Sequence, residues 1–216
     1  MAELVLTIGN KAYSSWSLRP WLLMKHAGIA FTESRISLYE PGAKQRILQR
    51  SAAGKVPVLR DGALTIWDSL AIAEYLAEKF PRKQLWPAKA SSRAHARAVS
   101  AEMHSGFTNV RGEMPMNVRR ELLGRARSAE ASSEIARIES IWLECRSLHA
   151  KEGPFLFGAF SIADAMYAPV VSRFRTYGVA LREPAASYAA TILALPALQE
   201  WIAAAHAESE VNPAYE

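Results

Sequence analysis

The sequence predicts an α/β domain followed by an all-helical domain. Three observations carry this. The first 80 residues alternate strand-like and helix-like segments, the proline-bounded stretch PRKQLWP over 81–87 interrupts them, and alanine-rich helical periodicity dominates the rest of the chain. Residues 1–80 are therefore expected as one domain, 81–90 as a linker and 91–216 as the helical domain.

In chain order, Leu4–Ile8 reads as a strand, Ser17–Ala27 as a helix, Phe31–Leu38 as extended and Ala43–Arg50 as a short helix. Val56, Val58 and Leu59 favour a strand, but Pro57 has no N–H to give to a ladder, so it belongs at an edge, a bulge or a point where pairing stops. Asp61-Gly62 is a two-residue hairpin signal, because glycine adopts the positive φ of such turns. Asp68 and Ser69 then precede Leu70, Ala73, Leu76, Ala77 and Phe80, which share one face of a helix. In the second domain helices are expected over 93–111, 130–150, 162–177 and 195–208, with breaks at Pro115, Gly153-Pro154, Gly178 and Pro184. Ser161-Ile162-Ala163-Asp164 has the spacing of a reciprocal capping box, with Phe160 as the preceding apolar residue; it reads as a folding element.

Half of the 216 residues are apolar, yet no run approaches the roughly 20 of a membrane span, and no basic region with a cleavage site opens the chain. A cytoplasmic protein is expected. The single cysteine, Cys145, falls in a helical pattern and reads as a packed core thiol, and no Cys/His cluster has metal-ligand spacing. The net charge of +5 is not gathered into a nucleic-acid surface: Arg119, Arg120, Arg125 and Arg127 lack interleaved aromatic residues and are followed by Glu130 and Glu134. They read as a solvated face or as attraction for small anions.

Two segments suggest chemistry. The N–H groups opening the helix at Asp68 could receive an anion such as a carboxylate, although an ordinary capped helix beside an edge-strand proline explains these residues equally well. Between the first strand and the first helix, Tyr13-Ser14-Ser15-Trp16-Ser17-Leu18-Arg19-Pro20 puts three hydroxyls at a helix start, with Pro20 suited to a first-turn position. No Gly-x-Ser-x-Gly elbow frames them, which argues against acyl transfer. A hydroxyl there could donate to a bound thiolate; otherwise one serine caps the helix and the others are solvated.

In order and separation, the loop SSWSLR, the Val56-Pro57 element, the helix start Asp68-Ser69-Leu70-Ala71-Ile72 and the segment FSIADAM at 160–166 resemble the cytosolic glutathione transferases, over essentially the whole chain. The first loop is similar to the bacterial, serine-type members, especially the zeta class. The resemblance implies a thioredoxin-like first domain followed by an all-helical domain, glutathione as cosubstrate and a homodimer. It implies that Pro57 is cis, that the Val56 backbone meets the cysteinyl part of glutathione, that Asp68 and Ser69 hold its γ-glutamyl group, and that Lys55 contacts the tripeptide. It makes Ser14, five residues before Arg19, the group that activates the sulfur, with Ser15 and Ser17 as fallback donors. Trp16 stands where the zeta pattern has cysteine, which weighs against maleylacetoacetate isomerisation and thiol exchange.

The electrophile is expected against the first helix of the second domain, where Met103, Phe107 and Arg111 recur at four-residue spacing; core packing of Met103 and Phe107 is the competing reading. The implied activity is glutathione S-transfer to small electrophiles. Glutathione-dependent isomerisation or peroxidase chemistry on the same thiolate is an alternative, as is an interaction protein that keeps the fold alone.

Overall fold

The computed structural model describes residues 3–216; Met1 and Ala2, which begin the expected first domain and the N-terminal run, lie outside the described residues. Among the described residues four strands, β1 (Leu4–Ile8), β2 (Thr32–Arg35), β3 (Val58–Asp61) and β4 (Leu64–Trp67), form one sheet in the order β2-β1-β3-β4. β1 runs parallel to β2 and antiparallel to β3, and β3 runs antiparallel to β4. The parallel pair needs a crossover, supplied by α1 (Ser15–His26). The register Asp61↔Leu64 makes Gly62-Ala63 the hairpin loop, one residue later than Asp61-Gly62, with Gly62 at φ 58°. A short helix α2 (Ala43–Leu48) leads to β3, and α3 (Ser69–Lys79) follows β4.

The remaining helices are α4 (Ala90–Ser105), α5 (Thr108–Glu113), α6 (Ala129–His149), α7 (Ile162–Thr176), α8 (Ala185–Leu193) and α9 (Pro196–His206). The expected helix over 93–111 is two: Gly106 ends α4, and Phe107 turns the chain with φ 57° before α5. α8 goes beyond the expected break at Pro184, because that proline directly precedes a helix. Pro20 lies inside α1 beyond its first turn, since α1 starts at Ser15 rather than Ser17.

α1 joins the two units. Leu18, Trp21, Leu22, Leu23 and Met24 are all fully buried, because α1 packs on α3 on one side and on α7 and α9 on the other. A helix buried all round has little amphipathic signal. Trp21 meets Trp201 edge-on at 5.1 Å, closing the seam. α7 is anchored by the expected capping box: Asp164 accepts from the N–H groups of Ser161 (2.8 Å) and Leu156 (3.0 Å). Burial pushes the Asp164 carboxyl up to about 6, against those hydrogen bonds.

Candidate functional site

The topology gathers three segments at one end of the sheet. Thr7↔Val58 and Val58↔Trp67 put the end of β1, the start of β3 and the end of β4 side by side. The loop that leaves β1, the Val56-Pro57 element and the start of α3 must therefore meet. They line a cleft of about 780 Å³ whose opposite wall comes from α5, the loop after it and α7. Ser14, Ser15, Lys55, Val56, Pro57, Asp68, Ser69 and Arg111 all line it. Ser17, Met103 and Phe107 do not.

Val56-Pro57 is a cis peptide, and strand pairing begins only at Val58, so Val56 stands outside the ladder. Lys55 is exposed and Pro57 buried. At α3 the helix start takes a definite form: Asp68 occupies the N-cap with φ 77°, and its Oδ1 accepts from the N–H groups of Leu70 (2.9 Å) and Ala71 (3.2 Å). Two of the first amides are thus already satisfied. Ser69 is buried and its Oγ accepts from Arg19 Nη1 at 3.3 Å.

The three loop serines take three different places. Ser14, the N-cap of α1, makes no capping bond; its Oγ lies 2.7 Å from Ser17 Oγ. Ser17 is fully buried behind it and accepts from the Gly9 N–H at 3.1 Å, which removes it as a fallback donor to anything in the cleft. Either hydroxyl can be the donor in the Ser14–Ser17 pair, so with Ser17 donating to Ser14 the Ser14 proton is free to point outward. Ser15 Oγ accepts from Arg173 Nη2 at 3.1 Å.

The expected stripe of Met103, Phe107 and Arg111 is not one helical face. Met103 is fully buried in the core and Phe107 nearly so, because the chain turns between α4 and α5; only Arg111 reaches the cleft. Cys145 is buried, and burial raises its thiol to about 12, consistent with an inert core residue. Of the basic run, Arg119 is not part of a solvated face: it donates to the carbonyls of Glu208 (2.9 Å) and Glu210 (3.0 Å) and to Tyr13 Oη. Trp67, at the end of β4, is half exposed at 54%.

The structure adds residues that spacing did not single out. Trp16 carries Arg19 on its ring at 4.2 Å and Arg111 at 5.4 Å, with His104 edge-on at 5.3 Å. His104 Nε2 pairs with Asp68 Oδ2 at 3.1 Å, and burial holds its imidazole below the usual histidine range. Burial and the neighbouring guanidiniums lower Arg19 to about 9 and Arg173 to about 10. An arginine at the end of the apolar Tyr167–Val171 run, with Phe174 after it, is the signal that could have flagged Arg173. Among the described residues no group of His, Cys, Asp and Glu could hold a metal, and no helix is long and apolar enough to cross a membrane.

Comparison with known proteins bears on both halves. Residues 13–79 match the family model described as glutathione S-transferase, N-terminal domain, and residues 125–204 match glutathione S-transferase, C-terminal domain. The chain is 36% identical over 93 residues to a probable maleylacetoacetate isomerase of Caenorhabditis elegans, covering 43% of this chain and 42% of that protein. It is 28% identical over 135 residues to glutathione S-transferase GstB of Escherichia coli K12, covering 58% of this chain and 62% of that protein. The aligned stretches thus span about half the length of these curated relatives. Among solved structures, a glutathione transferase homolog from Burkholderia strain BGR1 with bound glutathione superposes with a TM-score of 0.69 at 24% identity, covering 96% of this chain and 100% of that one. That likeness identifies the fold as a thioredoxin-like domain followed by a helical domain.

Proposed function

Because the chain belongs to the glutathione S-transferase family, we propose that its cleft binds glutathione as cosubstrate and that Ser14 activates the sulfur for attack on a small electrophile. The carrying observation is the convergence of the Ser14 loop, cis Val56-Pro57 and the Asp68-Ser69 helix start on one cleft. In this reading residues 1–80 bind the tripeptide, 81–90 link, and 91–216 supply the far wall. The Val56 backbone pairs with the cysteinyl unit, Ser69 receives the γ-glutamyl carboxylate, Asp68 Oδ2 receives the γ-glutamyl ammonium, and Lys55 attends the exposed end of the peptide.

Ser14 donates its proton as a hydrogen bond to the thiolate. Ser17, held by the Gly9 N–H, donates in turn to Ser14 and polarises it. Lowering a thiol pKa from about 9 toward neutrality takes a few units at roughly 1.4 kcal/mol each, within reach of one charge-assisted bond together with the start of α1. The thiolate then forms a C–S bond while the leaving group departs with its bonding pair. Subunits pair as a homodimer, with Trp67 and its neighbours on the contact face. The cytoplasm suits a chain that uses reduced glutathione.

A second reading, glutathione-dependent isomerisation, draws on the 36% identity to the nematode isomerase; there the thiolate adds and leaves without a net bond. Product analysis separates the two: a glutathione conjugate accumulating from a chloronitrobenzene supports transfer. Rearranged substrate with glutathione recovered supports isomerisation. No retention on immobilised glutathione and no turnover would leave only a fold-sharing interaction protein.

A further inference from the structure

We propose that the second-domain wall of the cleft is a carboxylate cradle built from Ser15, Arg111 and Arg173, so that the electrophile taken here bears a carboxylate; this rests on the glutathione reading. The starting observation is Arg173. It lines the cleft from α7, beside Val170, Val171 and Phe174, and is only 4% exposed. Its Nε donates to the Met114 carbonyl at 2.8 Å and its Nη2 to Ser15 Oγ at 3.1 Å, while Nη1 is buried with no partner among the described residues. Among the described residues no carboxylate pairs with it, and the charge that acts on it most is Arg111, of the same sign. A buried cation without a counter-ion is unfavourable, and an anion is the group this place lacks.

The surroundings supply the rest of a cradle. Ser15 spends an acceptor position on Arg173 and keeps its own proton to donate. Arg111, half-buried on the cleft wall, is held by the carbonyl of His104 at 3.1 Å and stacked on Trp16. Arg19, stacked on the same ring and itself buried, adds a third positive charge. The neighbouring acids are already engaged: Asp68 with the α3 amides and His104, Glu134 with the N–H groups of Asn109 (3.3 Å) and Val110 (2.8 Å). Glutathione's own charged ends are assigned to first-domain groups, which leaves this positive wall for the second substrate. A planar carboxylate matches a guanidinium fork and an adjacent hydroxyl, and the ring of Tyr215, also on the cleft, offers apolar surface for the rest of the molecule.

The test compares 4-chloro-3,5-dinitrobenzoate with its methyl ester, each rate divided by that of the uncatalysed reaction with glutathione. The wild type is expected to favour the acid at least tenfold in kcat/KM, through KM, and Arg173→Gln and Arg111→Gln to lower that preference at least fivefold. Equal use of acid and ester, or an unchanged preference in a folded Arg111→Gln, would overturn the cradle; that half-buried position carries the test if Arg173→Gln does not fold. Should neither compound react and glutathione not bind, the glutathione reading fails separately. Calorimetry with unreactive 3,5-dinitrobenzoate then still decides: binding weakened in Arg111→Gln supports the cradle, and no binding to the wild type overturns it.

Discussion

The Asp68 carboxylate and the His104 imidazole meet at 3.1 Å, which ties the start of α3 to the end of α4 across the seam between the two units. Asp68 therefore serves two structures with its two oxygens, Oδ1 capping α3 and Oδ2 facing His104 and the cleft. Substitutions should separate these duties. Asn at 68 can still cap and tolerates a positive φ, so Asp68→Asn is expected to lie within about 0.5 kcal/mol of the wild type in stability while glutathione affinity falls about tenfold. Asp68→Ala should lose the affinity and, in addition, about 1 kcal/mol of stability. Denaturant unfolding and glutathione titration of both variants check this; equal affinities for wild type and Asp68→Asn would remove Asp68 from the ammonium site.

Ser17 should act through Ser14. Its hydroxyl sits between the Gly9 N–H and Ser14 Oγ, out of reach of the cleft. In Ser17→Ala the bound thiol should rise by about 0.5 pKa unit, the effect of weakening one neutral hydrogen bond worth about 1 kcal/mol, and by less than in Ser14→Ala. A rise as large as that of Ser14→Ala would make Ser17 the direct donor.

Asp164 gives stability a pH dependence. Its folded value of about 6 lies above the ordinary 3.8, so the folded state holds a proton that the unfolded chain releases. Its contribution is thus present below about pH 4 and is lost as pH rises to about 6. Unfolding measured between pH 4 and 6 should show stability falling more steeply with pH in the wild type than in Asp164→Asn. That variant should also be less stable by about 1–3 kcal/mol, because its amide keeps one acceptor oxygen and puts an NH2 donor against either the Ser161 or the Leu156 N–H.

The readable parts of this chain are those governed by local rules. Pro57 without an N–H, Gly62 at a turn, the Ser161–Asp164 box and the helix opening at Asp68 each announce a structure over a few residues, and of these Pro57 and Asp68 belong to the first-domain side of the cleft. The far wall was less legible because it depends on where one helix ends. Periodicity continues α4 through Phe107, whereas Gly106 and the positive φ of Phe107 redirect the chain, leaving Met103 in the core and Arg111 in the cleft. Arg173 belongs to the site through the packing of α1 on α7, a relation between residues more than 150 positions apart that no spacing encodes. Likewise the three serines look alike in sequence, and only the Gly9 and Arg173 contacts assign Ser17 inward and Ser15 to the second-domain wall.

The proposal that Ser14 stabilises the thiolate is tested most directly by titrating the ultraviolet thiolate absorbance of bound glutathione in the wild type and in Ser14→Ala. Loss of one charge-assisted hydrogen bond, worth about 1.5–3 kcal/mol, should raise the apparent thiol pKa by about 1–2 units in the variant with glutathione still bound. An apparent pKa equal in the two proteins would contradict a role for Ser14 at the sulfur.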